Sequence, residues 1–352
     1  MIDYRHAFCG RSWQANRPSY PRSRRAVMRI IPERGIGPMN GLIDEHPCYS
    51  EGASHRYARL HLAVAPACNI QCRYCNRRFD CVNESRPGVV SALLTPEQGL
   101  ERVREARQRL PMLRVIGIAG PGDPLANRER VFATCRLVRE RFPDLHLCLS
   151  TNGLNLVPDT VDEIVSCGIK HVTLTLNALD PRVGAKIYAW VRWKNFKVDG
   201  VEGAGLLLER QLIGLHALIA RGVLVKVNTV LIPGINEDQV GPINRLASEA
   251  GVFSHNVVPM ISAPEHGTEF GLAGVRGPTA EELQLARDTC RGSARVMTHC
   301  RQCRADAAGL LGEDRHGELS VPESRVGRGG GKGRLIAAIV GEGVAPSMAC
   351  VG

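Results

Sequence analysis

Six short runs of β-branched and apolar residues, each separated from the next by a helix-length amphipathic segment, constrain this chain more than any other feature. The runs fall at 58–65, 113–119, 145–150, 171–176, 223–231 and 252–259. Strands spaced this way pair in parallel through right-handed crossovers, so the fold class is α/β and the expected architecture is a partial (β/α)6 barrel. Two helix starts are written locally. Thr95-Pro96-Glu97-Gln98 sets a capping residue before a proline at the first helical position, with Gln three residues after the cap, and Thr279 to Glu282 repeats the capping-box signature. In barrel-like parallel sheets, loops carrying chemistry converge at the C-terminal ends of the strands.

Immediately after the first run comes Ala65-Pro66-Ala67-Cys68-Asn69-Ile70-Gln71-Cys72-Arg73-Tyr74-Cys75, a C-x3-C-x2-C spacing. Three thiolates this close can hold three irons of a cubane and leave the fourth iron open to a chelating substrate. A zinc site, the competing reading, normally uses four ligands in paired C-x2-C spacing. Thirteen cysteines without a signal-peptide layout in MIDYRHAFCGRSW favour reduced thiols used as metal ligands or buried apolar groups, and hence a cytoplasmic protein. No stretch of ~18 uncharged apolar residues offers a membrane span. The net charge of +10 comes with an aromatic fraction of only 5% and no basic-aromatic motif, so nucleic acid is not expected as a partner. Residues 1–47 hold eight Arg against four acids, which reads as a solvated basic arm.

The cysteine spacing, with an aromatic residue just before its last cysteine, resembles the radical S-adenosylmethionine (SAM) superfamily. The resemblance implies a [4Fe-4S] cluster on Cys68, Cys72 and Cys75 with SAM on the open iron. After the second run, Gly117-Ile118-Ala119-Gly120-Pro121-Gly122-Asp123-Pro124 is similar to that superfamily's glycine-rich motif for the SAM amino group, which makes Gly120, Gly122 and Asp123 candidate SAM contacts. Ser150 and Asn152 after the third run, and Thr175 and Asn177 after the fourth, add polar groups at the same face. Turn chemistry and capping are the alternative reading for these four.

Longer motifs narrow the resemblance. His46-Pro47-Cys48-Tyr49-Ser50-Glu51, Asn76 to Cys81, Ala119 to Asn127, Ser150 to Gly153, Val201 to Ala204, Lys226-Val227-Asn228, Pro264 to Gly267 and His299 to Asp306 together resemble the NifB family, radical SAM maturases of the nitrogenase iron–molybdenum cofactor. The match covers roughly residues 46–315. It implies two auxiliary [4Fe-4S] clusters, fused with a SAM-derived carbide and an added sulfide into an eight-iron precursor. By motif match Cys48, Cys81 and Cys148 belong to one of them. Cys300 and Cys303 anchor the second, with Cys9 as a candidate further ligand, although two thiolates in C-x2-C spacing also suit zinc or a redox pair. His46 and His55 are candidates for the auxiliary shell, and Ser54 stands where many members have a second histidine. Glu265 and His266 are candidate proton-moving residues. Implied partners are an iron–sulfur cluster delivery protein, an electron donor such as ferredoxin or flavodoxin, and a downstream cofactor carrier or scaffold protein.

Organisation follows from the same reading: an irregular basic extension at 1–45, the core with its auxiliary sites at 46–315, and a glycine-rich tail at 316–352 too short for the carrier-like domain that many members add. Cys135, Cys167 and Cys290 lie in helix-like segments and read as structural, as do Trp190 and Trp193. Two readings stay open beside the maturase: another radical SAM enzyme with auxiliary clusters that modifies a peptide or cofactor, and a non-enzymatic iron–sulfur scaffold.

Overall fold

The computed structural model describes residues 40–81, 83 and 86–320. Cys9, Cys350 and most of both extensions lie outside the described residues. Contacts divide the chain into units Met1–Ile43 and Asp44–Gly352, and the second unit holds every strand among the described residues.

All six expected strands form, as β1 (Ala58–His61), β3 (Leu113–Ile118), β4 (His146–Thr151), β5 (Ile169–Thr175), β8 (Leu224–Leu231) and β9 (Ser254–Pro259). They lie side by side in chain order, all parallel, in one sheet curled into a half-barrel. A seventh strand, β10 (Ala308–Gly309), pairs antiparallel with the outer edge of β1. The crossovers contain α1 (Pro96–Arg109), α2 (Arg128–Arg141), α3 (Pro158–Ser166), α4 (Pro181–Ile187), α5 (Gly200–Ala220) and α6 (Glu237–Ala250), and α7 (Ala280–Asp288) comes after β9. Both expected capping boxes are present, Thr95 with Gln98 and Thr279 with Glu282.

The strands alternate in character, and this decides where the site lies. On the helix-covered face Ile116, Ile118, Leu147, Leu149, Val172, Leu174, Val225 and Val227 pack with Val103, Phe132, Val138, Ile164, Leu215 and Ile243 into the main core. On the opposite face stand Gly117, Cys148, Ser150, Thr173 and Lys226. A parallel sheet covered on both faces reads as continuous apolar runs. Here one face is apolar and the concave face is polar, so the inside of the half-barrel is a place for a ligand rather than a core.

A second, smaller sheet joins the half-barrel at its cysteine loop. Strand β2 (Ile70–Cys72) pairs antiparallel with β6 (Tyr188–Trp193), which turns back into β7 (Phe196–Val198). This hairpin replaces part of the helical crossover expected between β5 and β8. Cys135, Cys167 and Cys290 are buried, as expected of small apolar residues. Among the described residues no helix is long and apolar enough to cross a membrane.

Candidate functional site

The loop carrying Cys68, Cys72 and Cys75 is zipped onto the loop after β3. The Gly122 amide donates to the Ala65 carbonyl (2.6 Å) and the Asp123 amide to the Ala67 carbonyl (2.9 Å), while the Asn127 side-chain amide donates to the Ala67 carbonyl (2.9 Å) and its oxygen accepts from the Ala67 amide (3.2 Å). Only glycine fits at 122. A Cβ there would stand 2.2 Å from the Ala67 carbonyl oxygen, far inside van der Waals contact. Gly120 precedes a cis peptide bond to Pro121.

Asp123 is buried and fixes the third loop. Its carboxylate accepts from the Leu125 amide (2.9 Å), the Thr151 hydroxyl (3.0 Å) and the Asn152 amide (2.6 Å). Burial pushes its carboxyl up to about 6 against those hydrogen bonds. The Asn152 side chain donates to the Asn69 oxygen at 2.7 Å and lies 3.8 Å from the Cys68 sulfur. Asn177 is wholly buried; its amide donates to the Tyr74 hydroxyl (2.7 Å) and its oxygen accepts from the Val230 amide (2.9 Å), so it ties the cysteine loop to the barrel. Ser150, Asn152 and Thr175 line one cavity with Cys81, Gly122 and Asp123.

Burial and close neighbours set the state of the thiols in this loop. Cys68 is pushed up to about 12 by burial and then by Asp123 and Cys81 nearby, and Cys72 is raised by burial and by Cys68 and Cys81. Cys81 is raised first by its hydrogen bond with Cys75 and then by burial. Thiols raised in this way are protonated while no metal is bound, so ligation of iron here releases protons. Among the described residues no three His, Cys, Asp or Glu side chains converge closely enough for a single metal ion. A cubane spreads its thiolates over separate irons and needs a wider set. The three cysteines, the glycine cradle at 122 and the cavity beside them fit a [4Fe-4S] cluster with SAM.

A second cavity adjoins the first, sharing Ala119 and Ser150, and reaches deeper into the half-barrel. Cys48 and Cys148 line it together with His46, Tyr49, Arg59, His61, Thr173 and Lys226. Strand register makes the row: His61 faces Gly117, Gly117 faces Cys148, and Cys148 faces His171. The absence of a side chain at 117 admits both neighbours, since a Cβ there would lie 3.1 Å from the His61 Nε2 and 3.2 Å from the Cys148 sulfur. The His61 Nδ1 bonds the Arg304 carbonyl at 2.9 Å. His46 is buried, accepts from the Cys48 amide through Nδ1 (3.1 Å), and is lowered by burial and then by His171 and Lys226. The structure thus brings Cys48 and Cys148 to one cavity and sets Cys81 in the next, against Cys75.

Cys300 and Cys303 lie on a segment that reaches the half-barrel from β9. His299 contacts the Pro47 carbonyl (3.1 Å), Gln302 takes a positive φ of 46° between the two cysteines, and the Arg59 guanidinium donates to the Cys303 sulfur at 3.2 Å. Glu265 is exposed on a short turn, and His266 packs edge-on against Phe79 with its carbonyl accepting from the Asn76 side-chain Nδ2 (2.9 Å), which seats that turn on the cysteine loop. His55 is exposed beside a one-turn helix. Arg59, His61, Thr173 and His171 were not among the expected site residues. Polar residues at alternate positions of otherwise apolar strands, as in His171-Val172-Thr173-Leu174-Thr175, are the signal for several of them.

A half-barrel of parallel strands with a three-cysteine loop after its first strand defines a class of SAM-binding iron–sulfur proteins, and a profile of the Radical SAM superfamily matches residues 62–247. The FeMo cofactor biosynthesis protein NifB of Herbaspirillum seropedicae is 55% identical over 279 residues, covering 79% of this chain and 53% of that protein. Its namesakes from Bradyrhizobium diazoefficiens and Azotobacter vinelandii are 56% and 52% identical, each over 79% of this chain and over 56% and 55% of their own lengths. The chain belongs to the radical SAM superfamily and, within it, to the NifB family. It spans little more than half the length of these curated relatives.

Proposed function

We propose that this chain takes two [4Fe-4S] clusters as substrates and fuses them, with one carbon from a SAM methyl group and one added sulfide, into the eight-iron precursor of the nitrogenase cofactor. The observation that carries this reading is the pair of adjoining cavities, one beside the three-cysteine loop and one lined by Cys48 and Cys148 on the polar face of the sheet. The names of the 52–56% identical relatives support it. When bound, the cluster on Cys68, Cys72 and Cys75 supplies the electron that cleaves SAM reductively.

The chain's own residues bind, orient and exclude water. Gly122 and Asp123 fix the cysteine loop against the loops after β3 and β4, while Ser150, Asn152 and Thr175 line the SAM side. Cys48, Cys81 and Cys148 hold one substrate cluster, and Cys300 and Cys303 anchor the other, with Cys9 as a further ligand. Glu265 and His266, on the turn seated against the cysteine loop, carry protons away as the methyl carbon loses its hydrogens. An iron–sulfur delivery protein, a ferredoxin or flavodoxin, and a carrier or scaffold for the product are the partners this chemistry requires.

The test is anaerobic incubation of the reconstituted chain with SAM labelled in its methyl carbon. The expected result is 5′-deoxyadenosine together with label retained in acid-labile, iron-bound material. Label appearing in a peptide or small molecule would point to a different radical SAM reaction, and absence of 5′-deoxyadenosine to a passive scaffold.

A further inference from the structure

The β6–β7 hairpin carries an exposed combination that neither the core nor the SAM site uses. Phe196 at its turn is 72% exposed. Around it stand Arg192, Lys194 and Lys197, all exposed, and residues 188–198 include no acid. Arg192 and Lys197 are direct cross-strand partners, and both cations lie over the same Trp190 ring at 5.6 Å. Like charges directly opposite on a hairpin destabilise it, and Phe196, the cross-strand partner of Trp193, leaves most of its surface in water. Lys194 holds a positive φ of 54°, so the turn presents its cation in a backbone conformation that lysine rarely adopts. Among the described residues no carboxylate pairs with any of the three, and the next acids in the chain, Asp199 and Glu202, make no ion pair with them.

The hairpin is bonded directly to the strand that bears the cysteines. Ile70 pairs with Val191, Gln71 with Trp190 and Cys72 with Tyr188, and the Arg192 amide donates to the Asn69 carbonyl at 2.8 Å. Arg77 and Arg78, two and three residues past Cys75, are exposed as well and add to the same sign. A basic rim around an apolar anchor is the composition of a steered, transient protein interface, and its position beside the cysteine loop fits one task.

We infer that the β6–β7 hairpin, with Phe196 as its apolar anchor and Arg192, Lys194 and Lys197 as its charged rim, is the docking surface for an acidic one-electron carrier protein. On each encounter the reduced carrier loses one electron and the cluster on Cys68, Cys72 and Cys75 gains one, which SAM cleavage then consumes. This rests on the SAM-cleaving part of the proposed function and is independent of what becomes of the methyl carbon.

The experiment uses the reconstituted full chain, with 5′-deoxyadenosine as readout, and compares reduced flavodoxin with dithionite as electron source. The triple variant R192E/K194E/K197E and the single variant F196A are assayed beside wild type, and flavodoxin binding is measured directly across a salt series. The expected result is a loss of about ten-fold or more in flavodoxin-driven rate for the triple variant, with weaker binding and a flattened salt dependence. F196A loses affinity but keeps its salt dependence, and dithionite drives both variants at the wild-type rate. Equal losses with both reductants overturn the proposal, because the substitutions then disturb the cysteine loop itself. Unchanged flavodoxin kinetics overturn it too. Should the triple variant instead lose only the wild type's affinity for a mixed-sequence oligonucleotide, the surface belongs to nucleic acid. A failed carbon-label experiment with an intact flavodoxin dependence sinks the cluster-fusion reading alone.

Discussion

Asp123 shows how one buried carboxyl couples two loops. It accepts hydrogen bonds from Thr151, Asn152 and Leu125, yet burial outweighs them and its carboxyl rises from 3.8 to about 6. With the folded value above the unfolded one, the native state binds the extra proton between those values, so this group's contribution to stability falls as pH rises from about 4 to about 6 and is level beyond. Buried histidines such as His255, lowered to about 4, act in the opposite direction, so the group is isolated by difference. The stability of wild type relative to Asp123→Asn is expected to drop by on the order of 3 kcal/mol between about pH 4 and pH 7 in urea unfolding. A difference that stays flat would mean that the carboxyl is not buried as described. The importance of Asp123 was legible from its place after the glycines of the β3 loop. Its hydrogen bonds to Thr151 and Asn152 were not, because they depend on two loops meeting that are separated by a whole helix. His61 and Thr173 escaped for another reason. A parallel strand is expected to be apolar on both faces, so polar residues within it are read as interruptions rather than as a second face.

Loops and strands set the tolerance of the site. Because a Cβ at 122 would collide with backbone atoms of Ala65 and Ala67 rather than with a side chain that could turn away, Gly122→Ala must push the cysteine loop off the β3 loop. The expected cost is about 1–3 kcal/mol, with loss of the SAM cluster. Iron analysis and 5′-deoxyadenosine formation check this, and a fully loaded, fully active variant would show that the two loops can separate without harm. The long elements were readable because each has a period and a local start signal, as the two capping boxes illustrate. The hairpin was not. Strand β2 is only three residues long, and Tyr188 to Trp193 comes directly after α4, so no break in the sequence separates helix from strand. Trp193 packs against the smaller core cluster, as expected of a packing residue, with Arg210 over its ring, and Trp190 carries Arg192 and Lys197 over its ring.

At the scale of the whole molecule, the proposed function calls for three four-iron sites, and so for about twelve irons per chain. The double substitution Cys300→Ala/Cys303→Ala is expected to remove roughly four of them while leaving the SAM cluster able to form 5′-deoxyadenosine. Product that still activates cofactor-deficient nitrogenase from that variant, with no cluster added, would contradict the role given to the pair. These two cysteines lie just before β10, whose Ala308 and Gly309 pair with Leu60 and Arg59 at the opposite edge of the sheet from β9. A ribosome therefore delivers the six parallel strands in the order in which the sheet lays them down, and only afterwards the segment that returns to the first of them. The concave face, with Cys48 and Cys148 on it, is assembled while its last neighbour is still being made. The segment bearing Cys300 and Cys303 is thus the last neighbour of the deep cavity to be synthesised, and it meets Arg59 through the Cys303 sulfur and His61 through the Arg304 carbonyl.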